Sequence, residues 1–193
     1  MLLQFSVENF KSFKDTAVLS MEASADKDLP NNLTLINKTR CLNTAAIFGA
    51  NAAGKSNIFS ALTAAILLIR RSNSRQVLEP LFEIIPFKFD KESALEPTTF
   101  EFVFFTEGKK YVYGFSATKK EVQTEYLYVF NSAKASTIFE RTNVNEYKYT
   151  SAALKRQLKP IEERNTANKL FLATATAWNC EATRASYLWF ETK

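Results

Sequence analysis

The octet Gly49-Ala50-Asn51-Ala52-Ala53-Gly54-Lys55-Ser56 fits the pattern G-x-x-x-x-G-K-[ST], and each fixed residue type has a chemical task. Gly49 and Gly54 let the backbone turn so that main-chain N–H groups converge into an anion nest. A helix starting at the end of such a loop aims further N–H groups at the same point. Lys55 can reach the outer phosphates of a nucleotide as a point charge, and Ser56 can give its hydroxyl to Mg²⁺. The plain alternative is a glycine-bearing turn with an incidental lysine; the complete octet argues against it.

The elements that must position this loop are a strand before it and a helix after it. Thr44-Ala45-Ala46-Ile47-Phe48 is a compact apolar run, which predicts a buried parallel strand. From Asn57 to Arg71, the residues Ile58, Leu62, Ala65, Ile66 and Ile69 share one helical face, and two arginines sit at the C-terminal end where the dipole favours them. Upstream, Leu3, Phe5 and Val7 alternate with polar residues over 2–8, and a second strand is predicted over Ala17–Met21. The polar stretch 22–43 reads as a loop holding a short strand at Leu33–Ile36. Downstream, from about 82 to 150, the period changes to two. Phe100, Phe102 and Phe104 lead through Glu107-Gly108-Lys109-Lys110 to Tyr111, Tyr113 and Phe115. Further strands are predicted at Val122–Phe130, Thr137–Arg141 and Glu146–Tyr149. Rings at strict strand spacing read as core rather than as a stacking platform for bases. Residues 151–159 predict a short basic helix stopped by Pro160, and 166–193 predict more helix around Leu170, Phe171, Trp178, Leu188 and Trp189. The chain thus divides into a phosphate-loop core (1–81), an antiparallel meander (82–150) and a helical segment (151–193).

Composition sets the bounds. The chain has 193 residues, 46% hydrophobic and 23% charged, which suffices for a sizeable core. It has no histidine, which removes Ser-His-Asp and Cys-His nucleophilic machinery and histidine-based metal sites. Its two cysteines, Cys41 and Cys180, are too few for a zinc site of their own. The net charge of +5 is spread along the chain, so it permits nucleic acid without arguing for it. The N-terminus lacks the apolar core of a signal peptide, and no run approaches the ~20 residues of a membrane span. A cytoplasmic protein with no membrane contact is expected.

A second local pattern, Asn9-Phe10-Lys11-Ser12-Phe13, closes the first strand. With Ile47 through Asn57 it resembles the N-terminal lobe of ABC-type ATPases of the SMC, RecF and OLD (overcoming-lysogenization-defect) group. It is more similar still to the prokaryotic AAA-family ATPases found in anti-phage defence. Later pieces extend the resemblance over nearly the whole chain: Pro86-Phe87, Thr99-Phe100-Glu101-Phe102, Tyr111-Val112-Tyr113-Gly114, Glu125-Tyr126-Leu127, Phe139-Glu140-Arg141, Leu170-Phe171-Leu172 and Trp189-Phe190. The resemblance implies an α/β P-loop NTPase fold, ATP and Mg²⁺ as ligands, and nucleotide contacts from Gly49 through Asn57. It places Lys11 and Ser12 beside the nucleotide, with Lys11 near the phosphates, and Ser56 on the metal. For the full-length protein it implies a homodimer closing over two nucleotides, an effector nuclease as partner, and DNA contact.

Hydrolysis needs an acid at the end of a second buried strand to hold Mg²⁺ and orient water. No apolar run here ends in one: Leu127-Tyr128-Val129-Phe130 is followed by Asn131, and Ile66–Ile69 by Arg70. No LSGGQ-like signature is present. The resemblance puts those motifs beyond residue 193, so the chain reads as the N-terminal part of a longer ATPase, with no catalytic residue of its own. Two other readings stand beside it. One is a non-hydrolytic interaction or regulatory module with a sensory or vestigial nucleotide site. The other is a small kinase or GTPase, which the aromatic antiparallel segment and the lack of an NKxD motif disfavour.

Overall fold

The computed structural model describes residues 1–25, 30–37, 39–132 and 134–192. Alternating apolar residues fold the first segment into β1 (Leu2–Glu8), which turns back through Asn9–Thr16 into β2 (Ala17–Ser20). Three aromatic-rich strands follow the phosphate-loop region: β5 (Thr98–Thr106), β6 (Lys109–Ala117) and β7 (Val122–Phe130). The turn between β5 and β6 is Glu107-Gly108, both at positive φ (47° and 74°), which matches the twist of a two-residue hairpin. β8 (Ala135–Thr142) and β9 (Glu146–Lys148) complete the sheet. Its order is β2-β1-β5-β6-β7-β8-β9, and every pairing is antiparallel.

One face of this sheet carries the core. Phe5, Phe100, Phe102, Phe104, Tyr113 and Phe115 are buried on it. Against them pack α1 (Lys55–Arg71) and α4 (Glu181–Glu191), while α3 (Phe171–Ala177) packs on both helices and sets Phe171 edge-on to Phe139 at 5.1 Å. Phe190 meets Phe102 edge-on at 5.0 Å, and Trp189 stacks on Phe104 at 4.4 Å. Each such buried ring contributes about 1.5–3 kcal/mol. A buried polar cluster on the same face ties β6, β7 and β8 to α3. Both Glu125 carboxylate oxygens accept from the first amides of that helix, Phe171 (2.6 Å) and Leu172 (2.8 Å), and one also accepts from the Tyr113 hydroxyl at 2.9 Å. The Arg141 guanidinium lies 3.7 Å away and donates to the carbonyls of Val144, Lys169 and Ala167. Burial pushes the Glu125 carboxyl up, opposed first by Arg141 and then by the two amides.

The structure departs from the sequence-based expectation in several places. Residues 44–48 are not a strand: 44–50 have no regular structure and all are exposed. A parallel strand needs a parallel neighbour, and among the described residues every strand is already paired antiparallel. The α/β layer expected around the phosphate loop is therefore replaced by helices on one face of an antiparallel sheet. Residues 75–97 form an irregular excursion, so the meander begins at Thr98 rather than near 82. A strand not foreseen, β4 (Thr39–Leu42), pairs with β3 (Leu33–Ile36) and hangs from Met21 through its Leu42 amide. Pro160 does not stop its helix. In α2 (Ala152–Glu162) it removes one backbone bond near the end, and burial of Leu158 and Ile161 around it holds the last turn. α2 begins with Ser151 Oγ accepting from the Leu154 amide at 3.1 Å. Among the described residues, no helix is long and apolar enough to cross a membrane.

Candidate functional site

The phosphate-loop octet sits at the start of α1, which begins at Lys55, two residues before the expected Asn57. Gly54 is the N-cap in a left-handed conformation (φ 88°, ψ 4°), and Ala52 is left-handed as well (φ 65°). These reversals fold the loop tightly: the Ala53 amide donates to Ala50 O (3.2 Å) and the Asn57 amide to Gly54 O (2.8 Å). No side chain caps the helix, and its first turn holds no acidic residue. A helix of 17 residues therefore presents its positive end at the loop, with the Asn57 amide of its first turn folded back on Gly54. The Lys55 ammonium folds back on the loop, donating to Gly49 O (2.7 Å) and Ala50 O (2.6 Å). Ser56 is exposed beside it, and its carbonyl accepts from Ser60 Oγ at 3.0 Å.

The second wall is the turn after β1. Phe10 and Phe13 exchange two backbone hydrogen bonds of 2.8 Å, and the Lys11 amide donates to Ile85 O at 2.8 Å. Lys11 is held at φ 49°, and its ammonium lies 5.7 Å from the Phe10 ring centre. Ser12 is the residue this turn delivers to the loop. Its Oγ accepts from Asn57 Nδ2 at 2.7 Å and stands 3.1 Å from where a β-carbon on Gly54 would be. The Phe13 ring lies under the same point at 3.6 Å. The structure thus brings together Ser12, Gly54 and Asn57, while Lys55 meets Gly49 and Ala50.

Asn9 holds the turn in place. It is buried and left-handed (φ 52°). Its Nδ2 donates to Ser93 O (2.7 Å) and Glu96 O (2.9 Å), and its Oδ1 accepts from the Phe87 amide (3.0 Å). Thr98 Oγ1 donates to its carbonyl at 2.7 Å. One side chain therefore fastens the turn to the excursion at 86–97. Lys14 adds a 3.0 Å bond to Asp90, and this contact, with a bond from the Ser93 hydroxyl, lowers the Asp90 carboxyl to about 2. The sequence marked Asn9 as part of a pattern, but its partners are far along the chain, so nothing local revealed the clamp.

Among the described residues, no group of three or more metal-ligating side chains could hold a metal by itself. A cation here would be held by Ser56 together with phosphate oxygens, which suits Mg²⁺, an ion that keeps waters and binds through few protein ligands. A family model described as "AAA domain, putative AbiEii toxin, Type IV TA system" matches residues 45–161, from the strand-like run before the loop through most of α2. The Asn9–Phe13 turn lies outside the match. No curated protein matches the chain.

Proposed function

The chain belongs to this AAA-domain family, and from that premise we propose that residues 49–56 grip the phosphates of ATP together with Mg²⁺. The observation that supports the reading is the start of α1: an uncapped helix opened by a left-handed glycine, with Lys55 and Ser56 as its first two residues. The two acceptors now holding Lys55 are neutral carbonyls in an exposed setting. Phosphate oxygens offer the same ammonium a full negative charge in place of a carbonyl dipole. Lys55 then moves from the loop to the ligand, and Ser56 supplies one metal ligand. Lys11 and Ser12 form the wall opposite.

Hydrolysis calls for an acid and an in-trans signature that the 193 residues do not supply. The resemblance to the SMC, RecF and OLD group supports an ATPase assembly in which two copies close over two nucleotides. Opening of that dimer controls a partner effector, a nuclease, and the assembly contacts DNA, in anti-phage defence in the cytoplasm. The resemblance of the sequence supports this part of the reading, and the geometry supports only the nucleotide grip.

The test is calorimetric titration with Mg-ATP up to millimolar concentration. Wild type binds, and Lys55→Ala weakens binding by about 10–100-fold, the equivalent of one charge-assisted hydrogen bond, with an unchanged unfolding temperature. Absence of binding by folded wild type, or equal binding by the variant, contradicts the reading.

A further inference from the structure

We propose that Asn57 serves the nucleotide site through Ser12 rather than by touching the nucleotide: its amide fixes the Ser12 hydroxyl so that the O–H points at a bound phosphate. This rests on the nucleotide reading above. By position in the sequence, Asn57 follows Lys55-Ser56 and would be counted among the ligand contacts. In the structure its Nδ2 is spent on Ser12 Oγ, at 2.7 Å. A hydroxyl has one proton and two lone pairs. With one lone pair taken by the Asn57 amide, the Ser12 proton must point elsewhere, and among the described residues it meets no acceptor.

The hydroxyl stands against the last residue of the phosphate loop, 3.1 Å from the β-carbon position of Gly54. It is therefore beside the amides that open α1. The turn that carries it is rigid: Phe10 and Phe13 lock it by two backbone bonds, Lys11 is tied to Ile85, and Lys11 is kept in a left-handed conformation that L-residues resist. What the turn leaves open is the rotation of the Ser12 side chain, and the Asn57 bond settles it. Donation from the amide also polarises the hydroxyl, making its proton a better donor. Because Asn57 rides on the first turn of α1, the same bond keeps Ser12 in register with the loop. Asn57 is thus a positioning residue, and Ser12 is the group that meets the phosphate.

The experiment is a double-mutant cycle on Ser12→Ala and Asn57→Ala, with Asn57→Asp as a third variant. Binding of Mg-ATP and of inorganic tripolyphosphate is measured for each, alongside thermal unfolding. Ser12→Ala is expected to weaken both ligands about tenfold and Asn57→Ala about fivefold, with the double variant no weaker than Ser12→Ala alone. Asn57→Asp, whose carboxylate takes the Ser12 proton for itself, is expected to bind at least as weakly as Asn57→Ala. Unfolding temperatures stay at the wild-type value, because the bond is exposed. Wild-type affinity in Asn57→Ala overturns the inference. So does a double variant whose loss is the product of the two single losses, or a loss for ATP that tripolyphosphate does not share. If wild type binds neither ligand, the nucleotide reading fails and this inference falls with it. If wild type binds, Lys55→Ala does not and Asn57→Ala is unaffected, the inference alone is overturned.

Discussion

Gly54 meets two demands at once. Its φ of 88° belongs to the region L-residues avoid, and the space a β-carbon would take is bounded by Ser12 Oγ at 3.1 Å and the Phe13 ring at 3.6 Å. Gly54→Ala should therefore cost about 1–2 kcal/mol in backbone strain alone. In a chain of this size that lowers the unfolding temperature by roughly 3–6 °C. The same change presses on Ser12 Oγ, which must give by a few tenths of an ångström, so Mg-ATP affinity should fall with it; a variant as stable and as tight-binding as wild type would contradict the geometry described. At this scale the sequence was most informative. A phosphate loop is a local device, and the eight residues that make it are contiguous. Where the side chains point was not legible. Nothing in Gly54-Lys55-Ser56-Asn57 shows that Asn57 turns toward Ser12, because that bond spans two distant segments.

The turn after β1 depends on one asparagine. Asn9→Ala would strip the Ser93 and Glu96 carbonyls and the Phe87 amide of their partner in a buried setting. The expected loss is about 2–4 kcal/mol, the cost of leaving such groups unsatisfied, with faster proteolysis of the 86–97 excursion as the local readout. A change under about 0.5 kcal/mol, the level of an ordinary surface substitution, would show that Asn9 is not the clamp. Elements whose cause is periodic were legible: β1, β7 and the β5–β6 hairpin fall where alternation put them, and α1 buries Ile58, Ala65 and Ile69 of its expected stripe, with Ala61 and Leu68 buried where Leu62 and Ile66 are only half-buried. Elements whose cause is a neighbour were not. Thr44–Phe48 has the composition of a buried strand, yet without a parallel partner it lies open, with Phe48 89% exposed. Pro160 has the residue type of a helix stop, but two buried apolar neighbours carry the helix past it.

Across the whole molecule, a single sheet joins strands from the start of the chain to those of the meander, since β1 pairs with β5 along nearly its full length. The helices from the end of the chain then cover the same face as α1, so the loop, its second wall and the aromatic core share one foundation. The Glu125–Arg141 pair belongs to this scale. Its residues were visible as Glu125-Tyr126-Leu127 and Phe139-Glu140-Arg141, but only the folded sheet sets them against α3. The opposite lesson comes from the surface. The segment leading into the phosphate loop and the excursion at 75–97 expose Phe48, Leu78, Phe82, Phe89 and Leu95. Apolar side chains presented this way are where a partner would be sought.

The central claim is that the amides opening α1 and the Lys55 ammonium close on a triphosphate. A crystal structure of the protein with Mg²⁺ and a non-hydrolysable ATP analogue tests it most directly. The account predicts Lys55 Nζ released from Gly49 O and Ala50 O and bonded to phosphate oxygens, with Ser56 Oγ on the metal. Lys55 still seated on those two carbonyls, with the nucleotide bound elsewhere, would contradict it.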